Sequence, residues 1–329
     1  MTYYRPLVQH GARRPQCALP LAGGALWFAE AEAISRDGDN RLVSTADIPD
    51  NWLQALTNPR SPLLGLDLST PRLMGIVNVT PDSFSDGGLH LDADAAVAAA
   101  RAMQGADILD IGGESTRPGA AEVPIDEEIA RTAPVIRALS ERGSAPISID
   151  TRKHAVAEAA VAAGASLVND VSGFTFDPAL APFCAENDLP VCVMHAQGDP
   201  ETMQENPQYN NVLLDVFDVL AEQVQALEKA GIPRGRILVD PGIGFGKTVD
   251  HNLNLLRNIS LFHGLGCAIL LGVSRKRFIG TLSEEPDAQA RAPGSIAVGL
   301  AALAQGVQIL RVHDVAATRQ ALTLWQAVR

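Results

Sequence analysis

Short apolar runs alternate with alanine-rich amphipathic segments along most of this chain, from residue 71 to residue 329. Each run ends in polar or glycine-rich residues, and a helical segment follows most of the runs. This alternation is typical of βαβ units and a parallel sheet. The eight predicted strands are Leu73–Val79, Ile108–Ile111, Ile147–Asp150, Leu167–Asp170, Val191–Met194, Ile237–Asp240, Ala268–Gly272 and Gln308–Val312.

Helices are predicted between and after these strands. The clearest helical segments are Ala93–Gln104, His154–Ala163, Leu213–Ala230, Ser295–Gln305 and Val315–Val328. Eight strand–helix units over residues 71–329 match the roughly 250 residues of a closed (β/α)8 barrel, a TIM barrel. An open doubly wound α/β sheet is the alternative, but the number of strands favours the barrel.

The first 70 residues follow a different pattern. They contain six prolines and two of the three tryptophans, Trp27 and Trp52. The apolar stretch Ala25–Ile34 predicts a strand, and Pro49–Leu56 predicts one or two helical turns. We therefore divide the chain into an N-terminal extension of unknown role, residues 1–70, and a barrel, residues 71–329.

Polar side chains mark the end of every predicted strand. They are Asn78, Glu114–Arg117, Asp150–Arg152, Asn169–Asp170, His195, Asp240, Ser274–Lys276 and Arg311–Asp314. A single polar residue at a strand end is commonly a helix N-cap. A ring of them on eight consecutive strands instead indicates an active site, which in this fold lies at the carboxyl ends of the strands.

The residue types in this ring indicate a class of ligand. Asp150, Asn169, Asp240 and Lys276 provide two carboxylates, an amide and an ammonium group. A carboxylate accepts two parallel N–H bonds from an amidine-like edge, and an ammonium group donates to a carbonyl. The set suits a flat heterocycle that has both kinds of edge.

A second set of residues suits an anion. Arg117, Arg311 and His313 can hold a phosphate. Asn78 offers a hard oxygen ligand to Mg2+, a cation that otherwise keeps its waters and phosphate oxygens. Together the two sets predict a heterocycle that carries a phosphate leaving group.

The composition narrows the class of protein. The chain has 26 Lys+Arg against 38 Asp+Glu, a net charge of −12, which argues against nucleic acid as a partner. Its four cysteines form no CxxC pair, and we expect reduced thiols. Because we find neither an apolar run of about 20 residues nor a signal-peptide pattern, we expect a cytoplasmic protein without a membrane span.

The motifs themselves have a family resemblance. Gly75–Gly88, which reads GIVNVTPDSFSDGG, closely resembles the first signature of dihydropteroate synthases, and Asp110–Gly119, DIGGESTRPG, resembles the second. The remaining segments follow in that family's order: Ser148–Thr151, Val168–Val171, Met194–Gly198, Asp240–Lys247, Gly272–Lys276 and Arg311–Asp314. The resemblance covers residues 72–329.

The resemblance implies a pterin-binding barrel that joins 4-aminobenzoate to 6-hydroxymethyl-7,8-dihydropterin diphosphate. The products would be 7,8-dihydropteroate and pyrophosphate, formed by an SN1-like route in folate biosynthesis. It also implies a homodimer formed through barrel helices.

The resemblance implies roles for individual residues as well. Asp150, Asn169, Asp240 and Lys276 would hold the pterin ring, with Met194, Phe245 and Gly272 beside it. Asn78 would bind Mg2+, while Arg311 and His313 would hold the departing diphosphate. Thr116, Arg117 and Ser274 would shape the aminobenzoate and diphosphate side. The loops Thr80–Gly88 and Ser115–Ala121 would fold over the site. Lys276, Arg311, His313 and Asp150 are the predicted catalytic residues.

Other motifs have simpler interpretations. Gly242, Gly244 and Gly246 before Lys247 imitate a Walker A loop, but Pro241 stands where that pattern requires glycine. We interpret Lys247 as a solvated loop lysine. Cys192 and His195 cannot complete a zinc site, so we interpret His195 as a structural histidine.

A few positions keep two interpretations or depart from the family. Asp82 and Asp86 are either turn formers or contacts to aminobenzoate, and we expect at least one of Arg275 and Arg277 to be only a solvated charge. Ala196 stands where methionine is common in the family, and Ile243 where phenylalanine is common. Both departures alter packing around the pterin and leave the charged set intact.

Two alternative functions remain open from the sequence. One is a catalytically silent pterin-binding paralogue. The other is a pterin-dependent methyltransferase, which has a related barrel. That function does not explain the residues Ser274–Lys276 and Arg311–His313. Release of pyrophosphate separates the first from a synthase, and the pterin ligand that stabilises the protein separates the second.

Overall fold

The computed structural model describes residues 1–80, 89–115, 122–141, 143, 145–198 and 203–328, without the side chains of residues 89–92. The extension begins the chain with short elements. They are β1 (Thr2–Pro6), β2 (Leu19–Pro20), β3 (Trp27–Phe28), β4 (Glu30–Ser35), β5 (Arg41–Ser44) and helix α1 (Asp50–Thr57). Strands β1, β4 and β5 form an antiparallel sheet, and β2 pairs with β3.

The strands that follow are parallel to one another and close into a barrel. They are β6 (Arg72–Asn78), β7 (Ile108–Gly112), β8 (Ile147–Asp150), β9 (Leu167–Asp170), β10 (Val191–Met194), β11 (Ile237–Asp240), β12 (Ala268–Gly272) and β13 (Ile309–Val312). They pair in chain order, and β13 pairs with β6. The predicted TIM barrel is therefore confirmed, and the open doubly wound sheet is excluded.

Helices surround the barrel. They are α2 (Leu89–Ala102), α3 (Ile125–Ser140), α4 (His154–Ala163), α5 (Leu180–Glu186), α6 (Val212–Lys229), α7 (Val249–Arg257), α8 (Arg277–Ser283), α9 (Ala292–Leu303) and α10 (Val315–Ala327), and a 3₁₀ segment spans Ile259–Leu265. Over the described ranges, every helix is too short or too polar to cross a membrane.

The predicted strand Ala25–Ile34 is in fact two strands. The chain leaves β3 after Phe28 and enters β4 at Glu30, and the two strands pair with different partners. A continuous apolar run does not show this break, because both strands bury their apolar side chains. The predicted turns at Pro49–Leu56 form helix α1, which begins after Pro49.

The extension packs against one side of the barrel through aromatic rings. Trp52 of α1 stacks on Phe217 of α6 at a centroid distance of 5.4 Å, and Tyr3 of β1 meets Phe217 edge-on at 5.5 Å. Phe217 also lies near Phe262 of the 3₁₀ segment. Such ring pairs exclude water and stabilise beyond their buried area. The extension therefore shares one core with the barrel.

The segment between α1 and β6 closes the bottom of the barrel. Leu63 and Leu68 are buried in the same cluster as side chains from the amino-terminal halves of the strands, such as Met74, Leu238 and Ile309. The barrel interior is filled from below by this apolar plug. The polar side chains lie at the opposite end of the barrel, at the carboxyl ends of the strands.

A buried ionic cluster fixes the connections after β7 and β8. Lys153 Nζ lies 3.1 Å from a Glu114 carboxylate oxygen and 2.9 Å from one of Glu128, and its side chain is 2% exposed. Glu114 also receives Arg152 Nε at 3.1 Å and the backbone N–H of Val123 at 2.8 Å. The cluster joins α3 and the start of α4 to the residues that follow β7.

We expect Lys153→Met to lower the free energy of unfolding by about 3 kcal/mol, because Glu114 and Glu128 would lose a buried counter-charge. Urea denaturation followed by circular dichroism measures this change. Lys229→Met, the same substitution at an exposed site on α6, is the matched control. Equal stability of the two variants would contradict a stabilising role for the cluster.

Candidate active site

Strand register brings the predicted side chains to one layer of the barrel mouth. Asn78 is paired with Gly112, Gly112 with Asp150, and Asp150 with Asn169 across four neighbouring strands. On the opposite side Met194 is paired with Asp240, and Gly272 with Arg311. The two glycines have no side chain, so the mouth stays open between the charged groups.

Arg311 lies at the centre of this layer. Its Nε is 2.5 Å from Asp110 Oδ2, and its Nη2 is 2.6 Å from Asp150 Oδ2. Asn169 Nδ2 donates to the same Asp110 oxygen at 3.2 Å. One guanidinium therefore links the eighth barrel strand to the second and third, and both carboxylates that it contacts are largely shielded from water.

Asp110 is a site residue that the sequence reasoning did not assign. Its side chain is fully buried, and its Oδ1 has no hydrogen-bond partner in the described part of the chain. It lies two residues before Gly112 on β7, so both face the barrel interior. The signal for it was present, since a carboxylate inside the apolar strand ILDIG requires a buried partner.

Asp150 has a raised pKa. Burial raises its pKa to about 7, Arg311 opposes the shift, and the nearby carboxylates Asp110, Asp170 and Glu128 add to it. A carboxyl group with this pKa changes readily between a hydrogen-bond donor and an acceptor when a ligand arrives.

Asp240 is fixed by the loop that follows it. Its Oδ1 accepts the backbone N–H of Gly242 at 2.7 Å. Gly242 has a φ of +68°, and a Cβ there would lie 1.8 Å from the carbonyl oxygen of His195. Only glycine fits this position. Burial raises the pKa of Asp240, and the positive charge of Lys276 opposes that shift.

Lys276 lies on the other side of the same loop. Its Nζ donates to the carbonyl oxygen of Ile243 and lies 4.5 Å from the centre of the Phe245 ring. Burial lowers its pKa to about 8, Asp240 opposes the shift, and Arg311 adds to it. Asp240, Lys276 and Phe245 thus form one wall of the mouth.

The interpretation of Lys247 as a solvated lysine is wrong. Its side chain is buried, with Nζ 2.9 Å from the Phe245 carbonyl oxygen and 2.9 Å from His195 Nδ1. Burial and the charge of Lys276 lower its pKa well below the ordinary range. His195 is a buried, hydrogen-bonded histidine, as the sequence predicted, and burial lowers its pKa to about 3.

Ser274 follows β12, His313 follows β13, and their side chains are in contact. Ser274 Oγ lies 2.9 Å from His313 Nδ1 and accepts the backbone N–H of His313 at 3.2 Å. Arg275 instead pairs with Asp314, at 3.0 and 2.6 Å. Arg277 is the exposed charge of the two that flank Lys276.

Several predicted residues lie outside the described ranges. They are Thr116, Arg117, Asp82, Asp86 and most of the two loops expected to fold over the site. Among the described residues, the mouth combines carboxylates, an amide, a lysine and an arginine at the carboxyl ends of the strands. This arrangement can bind the hydrogen-bonding edges of a heterocycle and stabilise negative charge beside it.

Comparison with known proteins agrees with this chemistry. A family model described as pterin binding enzyme matches residues 74–313. The dihydropteroate synthase of Escherichia coli strain K12 is 46% identical over 264 residues, which cover 80% of this chain and 93% of that protein.

Solved structures give the same result. A dihydropteroate synthase from Xanthomonas albilineans with 4-aminobenzoic acid superposes with a TM-score of 0.76 at 48% identity, covering 80% of this chain and 94% of that one. A structure of that enzyme in complex with 7,8-dihydropteroate gives a TM-score of 0.73 at 46% identity, with 80% and 95% covered. The chain belongs to the pterin-binding enzyme family, among the dihydropteroate synthases.

Proposed function

We propose that this chain condenses 6-hydroxymethyl-7,8-dihydropterin diphosphate with 4-aminobenzoate to give 7,8-dihydropteroate and pyrophosphate. The observation that carries the proposal is the charged group at the barrel mouth, where Arg311 pairs with Asp150 and where Lys276 and Arg311 both act electrostatically on Asp240. The family membership supports the same reaction.

The pterin ring would occupy the space between Asp150, Asn169, Asp240 and Lys276. The carboxylates accept N–H bonds from the amidine-like edge, and Lys276 donates to the ring carbonyl. Met194 and Phe245 would pack beside the ring, and Gly272 would leave room for it. Because Asp240 is already held by the N–H of Gly242, little side-chain entropy is lost on binding.

The diphosphate would leave before the amine attacks. An arylamine is a weak nucleophile, so the step that most needs help is breaking the bond between the pterin methylene carbon and the diphosphate oxygen. The electron pair leaves with the diphosphate, and the remaining cation is delocalised into the pterin. Asp150 and Asp240 stabilise that cation, while Arg311 and His313 stabilise the departing anion.

The amine then bonds to the methylene carbon, and the resulting ammonium group releases its proton to solvent water. Ser274, which orients His313, would help shape the aminobenzoate and diphosphate side. Thr116 and Arg117 are proposed for the same side from the family motif alone.

The residues at the rim fit Mg2+. The Oδ1 of Asn78 is a neutral, hard oxygen ligand on the mouth layer. A Cβ placed on Gly112 would lie 3.9 Å from this oxygen and 3.8 Å from Asp150 Oδ2, so both oxygens lie close to the space that the glycine leaves. One such ligand suits a cation that keeps waters and phosphate oxygens. When bound, Mg2+ would neutralise part of the charge of the diphosphate.

We expect Asp240→Ala and Lys276→Ala each to reduce turnover by on the order of 100-fold or more, because each removes a charge that stabilises the transition state. The assay is pyrophosphate release from the pterin diphosphate, with and without Mg2+ and with 4-aminobenzoate omitted as a blank. Arg277→Ala, at the exposed neighbour of Lys276, is the control.

Near-normal turnover in both variants would overturn the site assignment. Pterin binding by the wild type without pyrophosphate release would instead identify a silent paralogue. Stabilisation by methyltetrahydrofolate and not by pterin diphosphate would favour a methyltransferase.

Pterin affinity should depend on pH in a bell-shaped manner. Asp150, with a pKa of about 7, must lose its proton to accept N–H bonds, so affinity rises as pH passes through 7. Lys276, with a pKa of about 8, must keep its proton to donate, so affinity falls as pH passes through 8. Calorimetric titration of 6-hydroxymethylpterin, which has no phosphate of its own, measures both limbs. Retention of the acid limb in Asp150→Asn would contradict the assignment.

We also propose that two copies of this chain associate through α9. The outer face of this helix is apolar, with Ala297 and Ala301 exposed and Ile296 and Leu300 half-buried between them. A second copy could bury an apolar helix face of this kind.

The double variant Ala297→Glu and Ala301→Glu should convert a dimer to a monomer, since it places charges in that interface. Size-exclusion chromatography with light scattering measures the mass. Ala226→Glu, on the exposed face of α6, is the matched helix-surface control. A mass that stays dimeric in the double variant would place the interface elsewhere.

A further inference from the structure

One carboxylate joins the N-terminal extension to the barrel. Asp215, in the first turn of α6, accepts Arg36 Nη1 on its Oδ1 at 2.7 Å. Its other oxygen accepts the backbone N–H groups of Asn210 and Asn211, at 2.9 and 3.0 Å. The same side chain thus contacts the extension on one side and the loop before α6 on the other.

That loop contacts the wall of the mouth. Gln204 Nε2 donates to the carbonyl oxygen of Gly244 at 2.6 Å, and the Tyr209 hydroxyl donates to that of Gly246 at 2.9 Å. Gly244 and Gly246 flank Phe245, whose ring lies against Lys276. The segment 203–211 therefore braces the loop that carries Phe245.

The negative charge of Asp215 strengthens its hydrogen bonds to the extension and to the loop. Burial alone would raise the pKa of Asp215, but the hydrogen bonds from Arg36 and from the two backbone N–H groups lower it below its usual value. Asp215 thus remains ionised at neutral pH, and its hydrogen bonds are of the stronger, charge-assisted kind.

We propose that Arg36 is a positioning residue for the pterin-binding wall, acting through Asp215 and the segment 203–211 on Gly244 to Gly246. The proposal rests on the proposed function, because the wall is the one that would hold the pterin. It gives the extension a role in substrate affinity that goes beyond stabilising the barrel.

Two neighbouring interactions provide controls that distinguish a positioning role of Arg36 from a role in stability alone. Asp218, one turn further along α6, receives Arg36 Nη2 at 2.7 Å and the Tyr3 hydroxyl at 2.8 Å. Arg5 and Glu32 pair at 2.6 Å between β1 and β4, inside the extension. Loss of the bond between Tyr3 and Asp218 would weaken the docking of the extension, and loss of the pair of Arg5 with Glu32 would weaken its sheet. Neither change would remove a partner of the Asp215 carboxylate.

The experiment compares Arg36→Ala with Tyr3→Phe and Arg5→Ala. We expect Arg36→Ala to raise KM for the pterin diphosphate about three- to tenfold, within the range of remote coupling effects, with KM for 4-aminobenzoate and kcat unchanged. Arg36→Lys, which keeps the charge, should recover part of the loss. Both controls should keep the wild-type KM for the pterin substrate.

Hydrogen–deuterium exchange without substrate gives a second readout. Arg36→Ala should speed exchange in residues 203–211 and 242–247, and Tyr3→Phe should not. This measurement tests the contact chain even if the wild type releases no pyrophosphate, a result that would instead sink the proposed function. Unchanged exchange with an unchanged pterin KM in Arg36→Ala would overturn the positioning role, as would equal effects in both controls.

Discussion

The pairing of one arginine with two carboxylates organises the mouth of this barrel. Arg311 reaches from β13 to Asp110 on β7 and Asp150 on β8, so it spans the point where the barrel closes. Burying three charges costs desolvation energy that their attraction only partly recovers. The arrangement therefore contributes little to the free energy of unfolding. Any group that binds Arg311 would also change the electrostatic environment of Asp150.

The architecture was predictable because it repeats. Eight apolar runs of strand length, separated by helical segments, leave few alternatives to a closed parallel barrel, and the strands lie within one residue of their predicted bounds. The extension was less predictable. The packing of Trp52 on Phe217 joins residues far apart in sequence, and a local pattern contains no information about such a partner.

The residues of the candidate site also differ in how far the sequence could predict them. Asn78, Asp150, Asn169, Asp240 and Arg311 could be named because each lies at the carboxyl end of a strand or one residue before it, and these ends meet in a barrel. Lys247 could not be assigned from its position after a glycine-rich turn, since its burial depends on carbonyl oxygens of Phe245 and His195 that only the folded loop brings together. Asp110 could have been found, because a carboxylate within an apolar strand always requires an explanation.

The covering of Phe217 by the extension has a consequence for transferring either part of the chain to another protein. A barrel without residues 1–70 would expose apolar surface at Phe217. With the extension present, the same position has to be large and apolar to pack against Trp52 and Tyr3. A graft of residues 1–70 onto another barrel would therefore need a large apolar residue at the position of Phe217 as well.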